Sequence, residues 1–400
     1  MRKLIWILLA ALVLTGCSTE VSSPYHTQPA ATLPAESVVP AASEATIPAE
    51  TTLPPDPLEL LMDGMTLEQK VGQLFIVAPE QLLPGMGAIT AVSGALGEAL
   101  AQYPVGGILL FGNNILSPGQ LEAFNQELRL SCDIAPFLAV DEEGGIVARL
   151  ANNASFALPR YASAAAVGRS AEEEAALDMG RTIGEYLNQY EFNLDFAPVA
   201  DVNTNPYNPV IGSRAFSSDP EVAARMAADF TAGLNEHGIV GCYKHFPGHG
   251  DTAQDSHSGL AVTYRTREEM ENCEWLPFRE AGSADFVMVG HIAAPAVTGD
   301  MTPATLSRQL VTDILKGELG FTGLVITDAM NMGAITKTHA PGEAAVGALA
   351  AGCDIILVPE DLPEAFEAVM AALEDGTLTI QWLNDTVRRI LEFKELHGIL

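Results

Sequence analysis

Lysine and arginine are scarce in this chain, which has 20 of them against 51 aspartates and glutamates, for a formal net charge of −31. A surface this acidic repels phosphate backbones, so nucleic acid is excluded as a partner. The excess of negative charge favours solubility at an exposed surface instead.

Cysteine is also rare, with five in 400 residues and no CxxC pair among them. Four of the five are widely spaced and lie in or near apolar segments: Cys132, Cys242, Cys273 and Cys353. Because paired spacing is lacking, the sequence shows no zinc or redox motif, and we expect four free, buried thiols.

A long hydrophobic run occurs only at the start of the chain, from Leu4 to Leu14, and it is too short to span a bilayer comfortably. It follows two basic residues and ends in Leu-Thr-Gly-Cys, which is typical of a signal peptide with a lipobox. We expect residues 1–16 to be removed and Cys17 to be lipidated, which would anchor the protein to the outer, extracytoplasmic face of a bacterial membrane. An ordinary secretory signal or an uncleaved anchor is the alternative.

Residues 18–57 are rich in proline, threonine and alanine and lack lysine and arginine. This composition is typical of a disordered linker, so the lipid would be the only contact with the membrane. From Leu58 the pattern changes to apolar strands that alternate with amphipathic helices, and we assign residues 58–400 to one folded domain.

Short apolar runs predict eight strands in residues 58–400. They are Val71–Ala78, Val105–Phe111, Pro136–Val140, Phe192–Pro198, Ile239–His245, Phe286–Gly290, Leu324–Thr327 and Ile355–Val358. Helix starts are indicated between them by Thr66 with Gln69, Ser117 with Pro118, Ser170 with Glu173, and Thr266 with Glu269.

This alternation, without an internal repeat, favours an α/β fold with a single (β/α)8 TIM-type barrel over an open sheet. Six polar residues fall at or just past the ends of predicted strands: Asp141, Asp201, His245, His291, Asp328 and Glu360. In a barrel such positions converge on one mouth, whereas in an open sheet they spread along an edge.

Four motifs occur in order along the chain: AVDEEGG (139–145), IGSRAF (211–216), KHFPGHGDTAQDSH (244–257) and VITDAMNMGAI (325–335). Together they resemble glycoside hydrolase family 3, and within it the β-N-acetylhexosaminidase branch. The resemblance covers essentially all of residues 58–400. It implies a glycosidase that acts on β-linked N-acetylglucosamine of peptidoglycan-derived sugars such as muropeptides.

Glycoside hydrolysis with retention needs a nucleophile that captures the anomeric carbon. Asp328 suits this role because it follows the apolar strand Leu324–Thr327, which would hold its carboxylate rigidly at the barrel mouth. The alternative is an aspartate that caps the following helix. The resemblance favours the nucleophile.

Retention also needs a group that protonates the leaving oxygen and then deprotonates water. The resemblance implies that His257 of the Asp-Ser-His motif is this acid/base. An imidazole donates and accepts protons near neutral pH without a large shift of its pKa. Asp255, two residues earlier, would accept a hydrogen bond from the other ring nitrogen and fix the tautomer.

The family pattern implies a sugar subsite of five polar residues: Asp141, Arg149, Arg214, Lys244 and His245. For Arg149 and Arg214 the alternative is a structural ion pair with loop carboxylates. His249 is expected to shape the loop through backbone hydrogen bonds. Ile146 departs from the family, which commonly has a basic residue directly after Glu-Gly-Gly, and this puts a contact at the rim in doubt.

Four other functions were weighed on the residues. His245, His249, His257, His291, Asp251 and Asp255 could be imagined as metal ligands, but Pro247 and Gly248 break the helix that a zinc pair four residues apart would need. A neutral His257 would not repel phosphate, so phosphorolysis is a hypothesis, as is a family 3 β-glycosidase of other sugar specificity. A non-catalytic, sugar-binding surface lipoprotein is the fourth.

The sequence thus predicts an exported, lipid-anchored retaining exo-β-N-acetylglucosaminidase. No metal or organic cofactor is implied, and we expect a monomer.

Overall fold

Eight parallel strands form the centre of the fold in the computed structural model, which describes residues 56–170, 172–256, 259–282 and 285–400. In chain order they are β1 Phe75–Val77, β2 Gly107–Leu109, β3 Phe137–Val140, β4 Leu194–Asp195, β5 Val240–Phe246, β6 Phe286–Val289, β7 Leu324–Thr327 and β8 Ile356–Leu357. Each strand pairs in parallel with the next along the chain up to β7, and β1 pairs with β8. A parallel bridge between Ile326 and Ile355 joins β7 to the start of β8 and closes the ring. The predicted (β/α)8 barrel is confirmed.

The strands are buried along their whole length, for example in β6 and β7. A parallel strand covered on both faces favours apolar side chains at most positions, which is why the sequence shows nearly continuous apolar runs here. All eight predicted strands are present, and most are shorter than predicted. The start of the first was wrong, because Val71 lies in the helix Leu67–Gly72 and β1 begins at Phe75.

Helices fill the connections between strands and surround the barrel. The α-helices are Pro57–Gly64, Leu67–Gly72, Pro79–Leu82, Gly94–Gln102, Pro118–Leu130, Ala164–Gly168, Ala175–Gln189, Pro220–Asn235, Arg267–Asn272, Leu276–Arg279, Pro295–Thr298, Gly333–Thr336, Pro341–Ala351, Leu362–Glu374 and Ile380–Leu396. A π-helix covers Gln309–Glu318, and 3₁₀ turns cover Gly112–Asn114, Gly212–Arg214 and Ala304–Leu306.

Two of the predicted helix starts are reciprocal capping boxes. The Thr66 hydroxyl accepts the N–H of Gln69 at 3.2 Å, while the Gln69 side chain accepts the N–H of Thr66 at 3.0 Å. Thr266 and Glu269 make the same exchange. Each exchange satisfies two backbone N–H groups that the first turn of a helix leaves without a partner.

Of the other two predicted starts, one is confirmed and one was wrong. Ser117 precedes the helix Pro118–Leu130 as expected. Ser170 does not begin a helix, because its hydroxyl accepts the N–H of Glu172 at 3.2 Å in a local turn and the helix starts at Ala175. A serine that bonds two residues ahead forms a turn of this kind as readily as a cap.

The four cysteines of the described part of the chain are free thiols, as predicted. Cys242 and Cys353 are buried as expected, but the expectation of burial was wrong for Cys132 and Cys273, which are only partly covered. Among the described helices, none is both long enough and apolar enough to cross a bilayer.

Candidate active site

A cavity of about 260 Å³ lies where the carboxyl ends of the barrel strands meet. Its walls are lined by Leu109, Phe111, Asp141, Glu143, Val147, Arg149, Phe196, Val210, Arg214, Lys244, His245, His249, Ser256, Met288, Asp328, Ala329, Asn331, Met332 and Leu357. Strand ends and the loops that follow them supply these residues, so the barrel itself brings distant parts of the sequence to one place.

Lys244 lies at the centre of an ion network in this cavity. This lysine is only 2% exposed, and its ammonium group is 2.8 Å from Asp141 Oδ1 and 2.7 Å from Glu143 Oε1. Arg214 meets Glu143 with two parallel hydrogen bonds of 2.8 Å each. Arg149 completes the network at 3.2 Å from Asp141 Oδ2. Such bidentate and charge-assisted bonds fix each side chain in both distance and direction.

The opposite charges of this network stabilise one another. Burial alone would raise the pKa of Asp141, but the positive charges of Lys244 and Arg149 outweigh it and hold the pKa below its ordinary value. Glu143 follows the same pattern with Lys244 and Arg214. Burial would lower the pKa of Lys244, yet the two carboxylates raise it above its ordinary value. All these groups are therefore charged at neutral pH.

Both arginines make the ion pairs that the sequence left open as an alternative to sugar binding. The side chain of Arg214 is 10% exposed, and that of Arg149 is 31% exposed. Since both also line the cavity, the ion pairs orient the guanidinium groups without removing them from it.

Asp201 joins two histidines beneath the cavity. Its carboxylate is fully buried and accepts the backbone N–H groups of His245 at 3.2 Å and His249 at 2.6 Å. Its Oδ2 lies 2.7 Å from Nδ1 of His245. Burial would raise the pKa of Asp201, but the neighbouring histidines and N–H bonds lower it. The carboxylate thus fixes the His245 ring by Nδ1 and leaves Nε2 without this constraint.

Asp328 follows β7 directly, as the sequence predicted. Its N–H donates to the carbonyl of Val289, and its Oδ1 accepts the N–H of Ala329 at 2.8 Å. The next helix begins at Gly333 and has Met332 at its N-cap, so Asp328 does not cap it. The carboxylate instead lines the cavity.

The surroundings of Asp328 favour its ionised form. Burial would raise the pKa of this carboxyl, but His245, His291, the Ala329 N–H and Lys244 together lower it. His291 also holds the backbone here, because its Nε2 is 3.0 Å from the carbonyl oxygen of Ala329. An ionised carboxylate held in this way is suited to nucleophilic attack.

The loop after β5 carries the predicted acid/base pair. Asp255 is partly buried on this loop, and its carbonyl accepts the N–H of Gly259 at 3.1 Å. Ser256 lines the cavity. His257 lies outside the described residues, as does the predicted lipidation site Cys17.

The structure brings most of the predicted site residues together. Asp328 and the five residues of the expected sugar subsite all line the cavity. Glu360, expected at the mouth, is exposed and lines a different pocket beside His339. Sequence reasoning did not identify Glu143 as a site residue, although it lies within the AVDEEGG motif. It predicted that Asp201 lies at the end of a strand but assigned no function to it.

Within the ranges that the structure describes, no three His, Cys, Asp or Glu side chains converge in a way that could hold a metal ion. The rings of His245 and His249 have centres 5.8 Å apart, but the His245 ring contacts Asp201 and the His249 ring contacts the hydroxyls of Thr252 and Ser256.

A (β/α)8 barrel with paired carboxylates and cations at its mouth is typical of glycosidases. Residues 66–393 match the Glycosyl hydrolase family 3 N terminal domain, so the chain belongs to glycosyl hydrolase family 3, which confirms the predicted family. Residues 1–18 match the prokaryotic membrane lipoprotein lipid attachment site, as predicted.

Similar proteins include hexosaminidases. The chain is 32% identical to Beta-hexosaminidase A of Pseudoalteromonas piscicida over 77% of its own length and 56% of that protein. It is 38% identical to a Beta-hexosaminidase of Pseudomonas aeruginosa over 69% of its own length and 81% of that protein. Among solved structures, a family 3 β-N-acetylglucosaminidase from Paenibacillus has a TM-score of 0.78 and 35% identity, covering 84% of this chain and 63% of that one. The chain therefore corresponds to only part of some of these relatives.

Proposed function

We propose that this protein is a retaining exo-β-N-acetylglucosaminidase, with Asp328 as nucleophile and the Asp255–His257 pair as acid/base. The observation that carries the proposal is an ionised carboxylate at the end of β7 that shares one cavity with an ordered set of cations and carboxylates. The sugar preference rests on relatives named β-hexosaminidase and β-N-acetylglucosaminidase.

In the first step Asp328 attacks the anomeric carbon and forms a glycosyl ester, while the glycosidic bond breaks and the leaving oxygen takes a proton from His257. In the second step water attacks the same carbon and gives its proton to His257. The ester bond then breaks and returns Asp328 as a carboxylate. Asp255 would stabilise the imidazolium by accepting the hydrogen bond of its other nitrogen.

The sugar would be held by Asp141, Arg149, Arg214, Lys244 and His245. These residues offer charge-assisted hydrogen bonds whose directions are set by the ion pairs around them, and such bonds discriminate among hydroxyl and acetamido patterns. A few well-placed polar groups on an otherwise apolar wall are the common composition of a small-molecule site.

The attachment site within residues 1–18 supports a lipid anchor at Cys17. We place the catalytic domain on the extracytoplasmic side of a bacterial membrane, where peptidoglycan-derived sugars would be its substrates. Residues 18–57 would serve as the linker between the lipid and the catalytic domain 58–400.

The Asp328→Ala variant tests the nucleophile. We expect turnover of an aryl β-N-acetylglucosaminide to fall by at least about 10⁴-fold, because no ester can form, while binding of the product sugar is largely kept. A slow fluorinated glycoside should leave a glycosyl group on the peptide that contains Asp328, as read by mass spectrometry. Asp313→Ala, on the exposed face of the π-helix, is the control and should be fully active. Unchanged turnover in Asp328→Ala would refute the assignment.

Substrate choice is tested by comparing aryl β-N-acetylglucosaminide with aryl β-glucoside, each with and without phosphate. We expect faster turnover of the acetamido sugar and free sugar as the product. Preference for the glucoside would contradict the proposed specificity, and sugar 1-phosphate in the product would make the enzyme a phosphorylase.

A further inference from the structure

His249 lies in the wall of the cavity but has no place in the proposed chemistry. Its side chain is 1% exposed, and both ring nitrogens have partners. Nδ1 is 2.6 Å from the Thr252 hydroxyl, and Nε2 is 3.1 Å from the Ser256 hydroxyl. The imidazole ring therefore links two parts of the loop after β5, one at Thr252 and the other at Ser256.

The two hydroxyls can act as donor or acceptor toward the ring. The Thr252 hydroxyl also lies 2.9 Å from the carbonyl oxygen of His249, within reach to donate. A neutral imidazole has one donor and one acceptor nitrogen, so both ring nitrogens can hold their hydroxyl partners in either tautomer. Burial lowers the pKa of His249, in keeping with a neutral ring.

The backbone of His249 is fixed from two other directions. Its N–H donates to Asp201 Oδ1 at 2.6 Å, and its carbonyl accepts the side-chain amide of Asn208 at 2.7 Å. The other oxygen of Asp201 holds the His245 ring. A short path of direct contacts thus runs from His245, in the expected sugar subsite, through Asp201 and His249 to Ser256.

Ser256 is the residue between Asp255 and His257 in the sequence. It is 2% exposed and lines the cavity. Neighbouring Cα atoms are about 3.8 Å apart, so a bond that fixes Ser256 limits where the adjacent Asp255 can lie.

We propose that His249 is a positioning residue that holds the acid/base segment through the Ser256 hydroxyl and ties its placement to the His245 side of the cavity. The inference rests on the proposed function, because it assigns a task to the Asp255–His257 pair. General acid/base catalysis requires placement to within a fraction of an ångström, and a displacement of about 1 Å can cost on the order of 100-fold.

The Ser256→Ala variant tests the bond in two kcat/KM measurements. An alkyl or disaccharide β-N-acetylglucosaminide has a poor leaving group that needs a proton, so we expect kcat/KM to fall by roughly 10- to 100-fold. A dinitrophenyl glycoside leaves without protonation, so its kcat/KM should change by less than about threefold. Its kcat should still fall, because water attack needs a base, and added azide should restore it.

Two further variants separate positioning from folding. Ser256→Thr keeps the hydroxyl and should restore at least half of the lost kcat/KM on the poor leaving group. His249→Gln keeps a hydrogen-bonding group near the place of Nε2 and should lose less activity than His249→Ala, with all melting temperatures compared. Gln254→Ala, an exposed position on the same loop, is the matched control and should behave like the wild type.

Equal losses on both leaving groups, or no loss on either, would overturn the positioning role. Failure of the proposed function has a different signature in the same assay, because the wild-type protein would then hydrolyse neither glycoside. In that case the positioning role falls with it.

Discussion

At the scale of single residues, the cavity depends on charges that are buried and paired. Lys244 is almost fully buried but stays charged, since Asp141 and Glu143 both contact its ammonium group. A buried ion without partners would instead lose its charge or destabilise the fold. The same lysine contributes to the field that keeps Asp328 ionised.

The positive groups around Asp328 predict how kcat/KM falls at acid pH. Because the pKa of Asp328 lies below its ordinary value of about 3.9, the ionised nucleophile is present above the lowered pKa and is lost only as pH falls through it. The acid limb of kcat/KM that Asp328 sets should therefore lie below about pH 4.

Lys244→Met removes one of the charges that lower the pKa of Asp328. We expect the acid limb of kcat/KM to move to higher pH, in addition to any overall loss of rate from weaker sugar binding. Lys70→Met, outside the cavity, is the control and should leave the limb in place. A limb that stays at the same pH in Lys244→Met would rule out this electrostatic role.

At the scale of elements, the loop after β5 is set by close backbone packing. Gly250 lies so near the chain after β4 that an added Cβ would meet the carbonyl oxygen of Val202 at 1.8 Å. On the same loop, Gly259 has open space around the corresponding position. The two glycines therefore differ in what a methyl group would displace.

Gly250→Ala should move the loop away from Val202, because two backbone segments cannot yield as a side chain can. We expect a loss of about 1–3 kcal/mol in the free energy of unfolding and a clear loss of turnover. Gly259→Ala should change both by little. Denaturant unfolding and kcat/KM of the two variants are the measurements, and similar behaviour of both variants would show that close packing at Gly250 is unimportant.

At the scale of the whole molecule, the C-terminal helix Ile380–Leu396 closes the end of the barrel opposite the cavity. Lys394 on this helix is fully buried and donates to the Gln73 side chain at 2.8 Å, to the Gly106 carbonyl at 3.0 Å and to the Ala135 carbonyl at 2.8 Å. These acceptors precede β1, β2 and β3, so one lysine side chain joins the starts of three strands.

Lys394→Met keeps the length of the side chain but leaves the Gln73 side-chain oxygen and the Ala135 carbonyl without this donor, while the Gly106 carbonyl still accepts the N–H of Phe137. We expect the free energy of unfolding to fall by about 3 kcal/mol, since each unsatisfied buried group costs about 1–3 kcal/mol and relaxation offsets part of the sum. Sugar turnover should be unchanged, because the cavity is at the other end. Arg388→Met on the same helix removes only an exposed ion pair with Glu59 and should cost less than about 1 kcal/mol. Equal stability of Lys394→Met and wild type would disprove the closing role.

The sequence by itself determined the architecture of this protein. Continuous apolar runs specify strands that are buried on both faces, and eight of them between helices specify a barrel. Polar residues directly after those runs, such as Asp141 and Asp328, could be assigned to one mouth because parallel strands end on the same side. Glu360 shows the limit, since three further residues of chain beyond β8 carry it out of the cavity.

Only the tertiary structure decided which of these groups are partners. Arg214 pairs with Glu143, 71 residues away, and Lys244 reaches Asp141 across 103 residues. Asp201 acquires its role from two histidines on another strand and loop, and the bond between His249 and Ser256 depends on how one loop turns. Sequence periodicity encodes which side of a strand faces the core, whereas distances between charges exist only after the barrel has closed.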